Sequence, residues 1–203
     1  MLTVVKVKRA RRGFTIIELV VTLALFGVLL GLGVPAFTIF IQNTQIRNAA
    51  ETVMTGIVQA KSEAIRRNTP VRFQFVTTLT SSCALSQSSG SWIVSMDDPA
   101  GLCDVAPSET TAPRTYRKQS SADGYPKVTV AATSSSSIVF NGIGRIVGTG
   151  ITQIDFTHNA MTCEHLDTTN GTARCLRILI STGGAPKLCD PKVTATTDSR
   201  HCS

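Results

Sequence analysis

Apolar residues run almost unbroken through one early stretch of the chain. Between Phe14 and Phe37 the only charged residue is Glu18. About 21 residues precede Pro35, and a helix of that length rises by about 30 Å, the thickness of a hydrocarbon core. The pattern predicts a membrane-spanning helix over residues 14–35.

The hydrophobic pattern then becomes periodic. Beyond Pro35, apolar residues recur at spacings of three and four: Ile46, Ala50, Val53, Ile57, Ala60 and Ala64. This spacing predicts an amphipathic helix over residues 36–68 whose apolar stripe packs under a sheet, with a short coiled coil as the alternative. Asn68-Thr69-Pro70 is a helix stop, so one helix is expected over residues 14 to about 67.

The remainder, residues 69–203, alternates short apolar segments with turn signals. The expected strands are 71–76, 91–96, 126–130, 137–140, 151–156 and 175–180, with a last turn at 182–184 leading to 187–189. Segments rich in Ser, Thr and Gly, at 77–90, 106–124 and 131–137, are expected to be exposed loops. The fold class is therefore α+β, with a long N-terminal helix packed against an antiparallel β-sheet head.

Basic residues flank the apolar stretch on its N-terminal side. Five of them precede Gly13 without an acidic residue among them: Lys6, Lys8, Arg9, Arg11 and Arg12. Because segments rich in Lys and Arg stay in the cytoplasm, this end is predicted to be cytoplasmic. The head is then expected on the far side of the membrane, in the periplasm or outside the cell, held by a single pass.

Glu18 does not fit a plain membrane anchor. An ionised carboxylate at that depth costs a few kcal/mol unless it finds a partner. An ordinary secretory signal would be cleaved after the apolar run, but residues 33–38 match the small-residue cleavage pattern poorly. Glu18 is therefore predicted to have a specific role, and a plain anchor is the alternative.

The segment Gly13-Phe14-Thr15-Ile16-Ile17-Glu18-Leu19 resembles the class III signal of type IV prepilins and pseudopilins. The resemblance implies that prepilin peptidase cleaves between Gly13 and Phe14, removing residues 1–13 as a leader peptide. It also implies N-methylation of Phe14. Glu18 then becomes the assembly glutamate, with the new amine as its partner in the same or a neighbouring subunit.

Three further segments are similar to the GspH/FimT/FimU group of pilin-like proteins. They are Ala60-Lys61-Ser62-Glu63-Ala64-Ile65-Arg66-Arg67-Asn68, Phe140-Asn141-Gly142-Ile143-Gly144-Arg145 and the closing stretch 179–190. The resemblance implies a type IV pilin-like fold and a minor pilin that is not an enzyme, acting in pilus initiation or a tip complex. Its implied partners are other minor and major pilins, and its implied route leads from the inner membrane to the pilus fibre at the cell surface.

Two other functions stay open. A FimT-like relative would bind DNA for natural transformation through a basic G-R-x-R element near the final hairpin, where this chain has Gly184-Ala185-Pro186-Lys187. Phosphate contacts need clustered cations, and the candidates here are Lys187, Lys192 and Arg200. The other alternative is a GspH-like minor pseudopilin of type II secretion.

The net charge argues against a nucleic-acid surface. The whole chain carries +7, and five of its basic residues belong to the leader. Without them, 15 Lys and Arg stand against 13 Asp and Glu, which leaves +2. A mature chain this close to neutrality gains little from long-range attraction to DNA.

Six cysteines, all beyond residue 80, indicate disulfides formed in an oxidising compartment. Proximity favours the pairs Cys83–Cys103, Cys163–Cys175 and Cys189–Cys202. Each pair would close a short loop, and such loops are expected to staple the head rather than to perform redox chemistry.

The remaining candidates for chemistry are sparse. The histidines are His158, His165 and His201, and the chain has neither a C-x-x-C nor an H-E-x-x-H motif. His158 and His165 lie in polar sequence and are expected to be solvated. Asp97-Asp98-Pro99-Ala100-Gly101 is expected to be a turn rather than a calcium site, and Trp92 to belong to the core or to a sheet surface rather than to a ligand platform. No metal, cofactor or catalytic residue is predicted.

Overall fold

A computed structural model describes residues 13–163 and 172–202. The chain divides into two compact units, Met1–Thr38 and Ile39–Ser203. One helix, α1 (Ile16–Arg67), contributes residues to both units. His165 and the leader residues 1–12 lie outside the described residues.

Thr15 caps the start of α1. Its Oγ1 accepts the Glu18 N–H at 3.3 Å, and its carbonyl oxygen accepts the Leu19 N–H at 3.2 Å. Glu18 lies in the first turn, where the helix dipole favours a negative charge. Across the described residues, no helix combines the length and apolarity that a membrane crossing requires, so the span over residues 14–35 is not confirmed.

The predicted helix stop is confirmed at the other end of α1. Asn68 has a φ of 50°, the left-handed conformation in which helices often terminate. The Thr69 N–H returns to the carbonyl oxygen of Ala64 at 3.3 Å. Arg66 and Arg67 occupy the last turn, where the helix dipole favours positive charge.

Two antiparallel four-stranded sheets follow the helix. The first has the order β3-β2-β1-β5 and consists of β1 (Val71–Phe75), β2 (Trp92–Ser95), β3 (Thr115–Gln119) and β5 (Ser137–Phe140). The second has the order β4-β6-β7-β8 and consists of β4 (Val128–Thr133), β6 (Gln153–His158), β7 (Leu176–Ile180) and β8 (Pro186–Cys189). The predicted α+β class, with a long helix on antiparallel sheets, is confirmed.

The apolar stripe of α1 forms one wall of the core. Every predicted stripe residue is fully buried, and so is Ala49. These residues share one hydrophobic cluster with Phe73 and Trp92 of the first sheet and Ile154 of the second. Gly56 permits the close approach, since a Cβ there would lie 2.8 Å from ring carbons of Trp92. The prediction that the stripe packs under a sheet is confirmed.

Two segments predicted to be loops contain strands. β3 lies inside segment 106–124, and β4 continues to Thr133 inside segment 131–137. β3 reads Thr-Tyr-Arg-Lys-Gln and occupies a sheet edge, so it lacks the apolar alternation that marks a buried strand. In β4 the inward position near the end is Ala132, whose small side chain gives a weak apolar signal.

Candidate functional site

The N-terminal motif is accessible. Phe14 is 81% exposed, and apart from the adjoining residues no heavy atom of the described part of the chain lies within 4 Å of the place where a Cβ would stand on Gly13. Both residues precede the first residue of α1, so the bond between them lies outside the hydrogen-bonded helix.

The three head segments that resemble the GspH/FimT/FimU group meet in space. Lys61, from the helix segment, donates from Nζ to the carbonyl oxygens of Gly183 at 3.1 Å and Gly184 at 3.4 Å, in the final hairpin. Asn68, at the end of the helix segment, lies so close to Gly142 that a Cβ there would stand 2.3 Å from the Asn68 Oδ1. We call this meeting point the glycine junction.

Glycine is required at two left-handed positions of the glycine junction. Gly144 has a φ of 76°, and a Cβ there would stand 2.7 Å from the Ile65 side chain. Gly184 has a φ of 73°, and a Cβ there would stand 2.6 Å from the ring of Phe140. Any side chain at either position would suffer both backbone strain and a clash.

An ion-pair network holds the last turn of α1. Arg67 bonds Glu63 at 3.0 Å and also Glu109, and its guanidinium lies 4.4 Å from the centre of the Tyr116 ring. Burial disfavours ionisation of Glu63, but the hydrogen bonds from Arg67 and Arg66 outweigh it, so the pKa of Glu63 is lowered. The network joins α1 to β3, an element that the sequence did not predict.

The three disulfides join the cysteines that sequence proximity favours. Cys83 pairs with Cys103, Cys163 with Cys175, and Cys189 with Cys202, at sequence separations of 20, 12 and 13. All six cysteines are paired. Removing such a link costs up to about 3 kcal/mol in the chain-entropy description.

The candidate DNA contacts lie around the final strand. Lys187 is an exposed residue of β8, and Lys192 and Arg200 are exposed beyond its end. Arg200 makes a two-pronged ion pair with Asp198, with donor–acceptor distances of 3.1 and 2.8 Å. These hydrogen bonds lower the pKa of Asp198 to about 2, so the carboxylate is charged at neutral pH and offsets the Arg200 charge.

His158 corrects a prediction. It was expected to be solvated, but β6 continues two residues beyond its predicted end and places His158 on the inward side, 3% exposed. Its Nδ1 accepts the Ala160 N–H at 3.1 Å. Burial, and then the charge of Lys127, lower the pKa of His158. Within residues 13–163 and 172–202, no cluster of His, Cys, Asp and Glu could hold a metal ion.

Two further predictions from the sequence are confirmed. Trp92 is fully buried in the core. The turn predicted over residues 97–101 is present, since the Leu102 N–H donates to the Pro99 carbonyl oxygen at 2.8 Å. Asp97 forms a two-pronged ion pair with Arg114, which lowers the pKa of the Asp97 carboxyl. Its carboxylate therefore has a protein cation as a partner.

A groove that the sequence did not predict lies between α1 and the second sheet. It holds about 530 Å³ and has an apolar floor that includes Phe40, Leu176 and Leu188. Arginines from three separate segments line it: Arg47, Arg174 and Arg200. Their sequence separation explains why no local motif could reveal them.

Comparison with known families shows to which family a chain with this sequence and fold belongs. The family model for the type II transport protein GspH matches residues 49–184, more than half of the chain, which includes the glycine junction and β7 but not β8. The chain belongs to the GspH family. A second model, for the prokaryotic N-terminal methylation motif, matches residues 8–34. The predicted membership of the GspH/FimT/FimU group of pilin-like proteins, a structural rather than enzymatic group, is confirmed.

Individual relatives resemble this GspH-family chain in part. The pilin-like protein PilA1 of Thermus thermophilus is 40% identical over 67 residues, which cover 33% of this chain and 42% of PilA1. The chain thus spans less than half of the length of that relative. Crystal structures of the type IV minor pilin FimU of Pseudomonas aeruginosa, in two space groups, align with TM-scores of 0.45 and 0.46 at 17% and 16% identity. They cover 70% and 73% of this chain, and 90% and 91% of FimU.

Proposed function

We propose that this GspH-family chain is a minor pilin, a structural subunit that enters a type IV pilus at initiation or in a tip complex. The observation that carries the proposal is the combination, in one chain, of the N-terminal methylation motif and a GspH-type head. The motif provides for processing and membrane anchoring, and the head provides surfaces for neighbouring subunits. Partners are other minor and major pilins.

Processing by prepilin peptidase is the first step of this function. Cleavage between Gly13 and Phe14 removes the basic leader and creates a positively charged amine at the start of the apolar segment. The peptidase or an associated activity then methylates Phe14. A cationic amine is the partner that an intramembrane carboxylate requires, so we assign Glu18 the role of pairing with it during assembly.

The head contributes surface rather than chemistry. The helix stripe is buried within its own head, so contacts with other subunits must use residues that remain exposed. Val58 and Ile65 on α1 and Ile143 in the following turn are large apolar side chains that are 48%, 50% and 71% exposed. Apolar side chains at this exposure are suited to contacts with neighbouring heads.

Substitution of Glu18 tests this function. Glu18→Ala should leave membrane insertion intact, because the segment becomes more apolar, and should reduce entry of the chain into purified filaments. Glu18→Lys should be more severe, since it places two cations together. Entry of Glu18→Ala into filaments at the level of the unmodified chain would contradict the proposal.

A second candidate function is that of a minor pseudopilin in type II secretion, which membership of the family of the type II transport protein GspH favours. Deletion of the gene separates the two functions. A minor pilin predicts loss of surface pili with normal secretion of exoproteins. A pseudopilin predicts the reverse, and that result would replace our first proposal.

A further inference from the structure

The groove between α1 and the second sheet has features of a built site. Asn43 on α1 accepts the Arg174 N–H at 2.7 Å and donates to the Thr172 carbonyl oxygen at 3.4 Å. This side chain fixes one wall of the groove to the segment that leads into β7. The disulfide Cys189–Cys202 holds the segment that carries Arg200 against the end of β8.

The groove combines an apolar floor with a cationic rim. Leu176 and Leu188 are partly buried and pack on the core from β7 and β8. The lining residues include three guanidinium groups but only one carboxylate, that of Asp190, so positive charge is in excess. Asp190 is 3% exposed and holds Arg174 at 3.0 Å, which fixes the direction of that guanidinium.

Two of the arginines keep donors for a ligand. Among the described residues, Arg174 uses its Nε–H on Asp190, and Arg47 uses its Nε–H on Glu51. A guanidinium carries five N–H donors, so each retains its terminal amino groups. The Arg47–Glu51 pair spans one helical turn and is exposed, so it is worth less than about 1 kcal/mol and yields readily to a competing anion.

We infer that this groove binds an anionic phospholipid, with the headgroup phosphate on Arg47 and Arg174 and an acyl chain on the apolar floor. Arginine matches phosphate oxygens with paired donors, and the floor removes hydrocarbon from water. A volume of about 530 Å³ lies in the range of sites for small amphiphilic ligands. The inference rests on the proposed membrane anchoring of the chain.

Chain connectivity favours a lipid over a protein ligand. Phe40, in the groove floor, comes two residues after Thr38, where the first compact unit ends. If residues 14–35 are embedded, only four residues separate Phe40 from the embedded segment, which favours contact with lipid headgroups. Phe40 is also 65% exposed, and an aromatic side chain beside cationic residues is typical of the membrane interface.

Lipid photocrosslinking in nanodiscs tests the inference on the full-length chain. The probes are phosphatidylglycerol and phosphatidylcholine, each carrying a diazirine on an acyl chain, and mass spectrometry maps the labelled peptides. The phosphatidylglycerol probe should label the peptides containing Leu176 and Leu188. Arg47→Gln should reduce this labelling about fivefold, the equivalent of about 1 kcal/mol for one cation at an anionic surface.

Matched controls separate the outcomes. Arg145→Gln removes an exposed arginine outside the groove and should leave labelling unchanged. Arg174→Gln also removes the ion pair of buried Asp190, so Arg47→Gln is the deciding variant. Inorganic phosphate should not compete, because it lacks the acyl chain.

Three results would overturn the inference: equal labelling by the two probes, no groove labelling while residues 14–35 are labelled, or labelling that Arg47→Gln does not change. Crosslinking of a photoreactive residue at Leu188 to another pilin, in place of lipid, would assign the groove to a protein partner. Absence of labelling over residues 14–35 as well would instead contradict the membrane anchoring on which the proposed function depends.

Discussion

Lys61 and Gly183 are 122 residues apart in sequence, yet the Nζ of Lys61 donates a hydrogen bond to the Gly183 carbonyl oxygen at 3.1 Å. Gly183 lies in the turn between β7 and β8, and Lys61 lies on α1. The contact closes the glycine junction and links the end of the helix to the last hairpin of the head. A residue near the C-terminal end of α1 thereby stabilises an element that forms from the last part of the chain.

Replacing Lys61 should destabilise the head. Lys61→Met keeps the aliphatic stem but removes the donor to two carbonyl groups, so the free energy of unfolding should fall by about 1 kcal/mol. Urea denaturation can be followed through the fluorescence of Trp92, the only tryptophan in the chain and fully buried. Lys127→Met, at an exposed lysine, is the control; an equal loss in both variants would contradict a specific role for Lys61.

Gly56→Ala should destabilise the head although alanine is the better helix former. The added Cβ would stand 2.8 Å from Trp92 and 2.9 Å from Phe73, both buried. Forcing these rings apart costs about 1–3 kcal/mol, more than the roughly 1 kcal/mol gained in helix propensity. The matched control is Gly31→Ala, in the same helix, where the new Cβ meets no described heavy atom within 4 Å outside the adjoining residues and the backbone of the helix. A Gly56→Ala protein as stable as this control would show that the rings accommodate the methyl group.

Stability should fall between neutral and mildly acidic pH because of His158. Its pKa in the folded head is lowered below the ordinary 6.5. As the pH falls below about 6.5, the unfolded chain binds a proton that folded His158 resists, so the free energy of unfolding decreases. The lowered pKa values of Glu63 and Asp97 affect the free energy of unfolding only at lower pH, because these carboxyls protonate below about 4.5.

Chemical denaturation at pH 7.5 and 5.5 checks the role of His158. His158→Asn keeps an acceptor near the Ala160 N–H but does not titrate. The unmodified chain should lose more stability across this interval than the variant. Identical pH dependence would show that His158 is protonated equally in the folded and unfolded states.

The head should not bind DNA at physiological salt. Asp198 offsets the charge of Arg200, and non-specific binding depends on neutralising several phosphates at once. A gel-shift titration of Ile39–Ser203 at about 150 mM salt should show no complex. Low-micromolar binding that disappears when Lys187, Lys192 and Arg200 are replaced would instead make DNA uptake the leading function.

The fold could be predicted where local signals were strong. The stripe of α1 and β5 were predicted from spacing and alternation, because each side chain reports directly on a buried face. β3 escaped prediction because tertiary contacts hold it: Lys118 donates from Nζ to the carbonyl oxygens of Cys103 and Asp104, while Arg67 packs on Tyr116.

Of the candidate sites, the N-terminal motif could be predicted from the sequence and the groove could not. Gly13, Phe14 and Glu18 form a contiguous motif and could be recognised in the sequence, although their roles stay predictions. The groove could not be recognised, because Arg47 and Arg174 come together only through the Asn43 contact and the pairing of the sheet. A site assembled from residues more than a hundred positions apart leaves no local pattern.

The mass of the mature N-terminus tests the central claim most directly. The chain should be extracted from membranes or filaments and measured intact, with the N-terminal peptide sequenced by mass spectrometry. A minor pilin requires loss of residues 1–13 and one added methyl group on the amine of Phe14. A chain that retains its leader, or one whose N-terminus lies near Ala36 after cleavage beyond the apolar segment, would contradict the account.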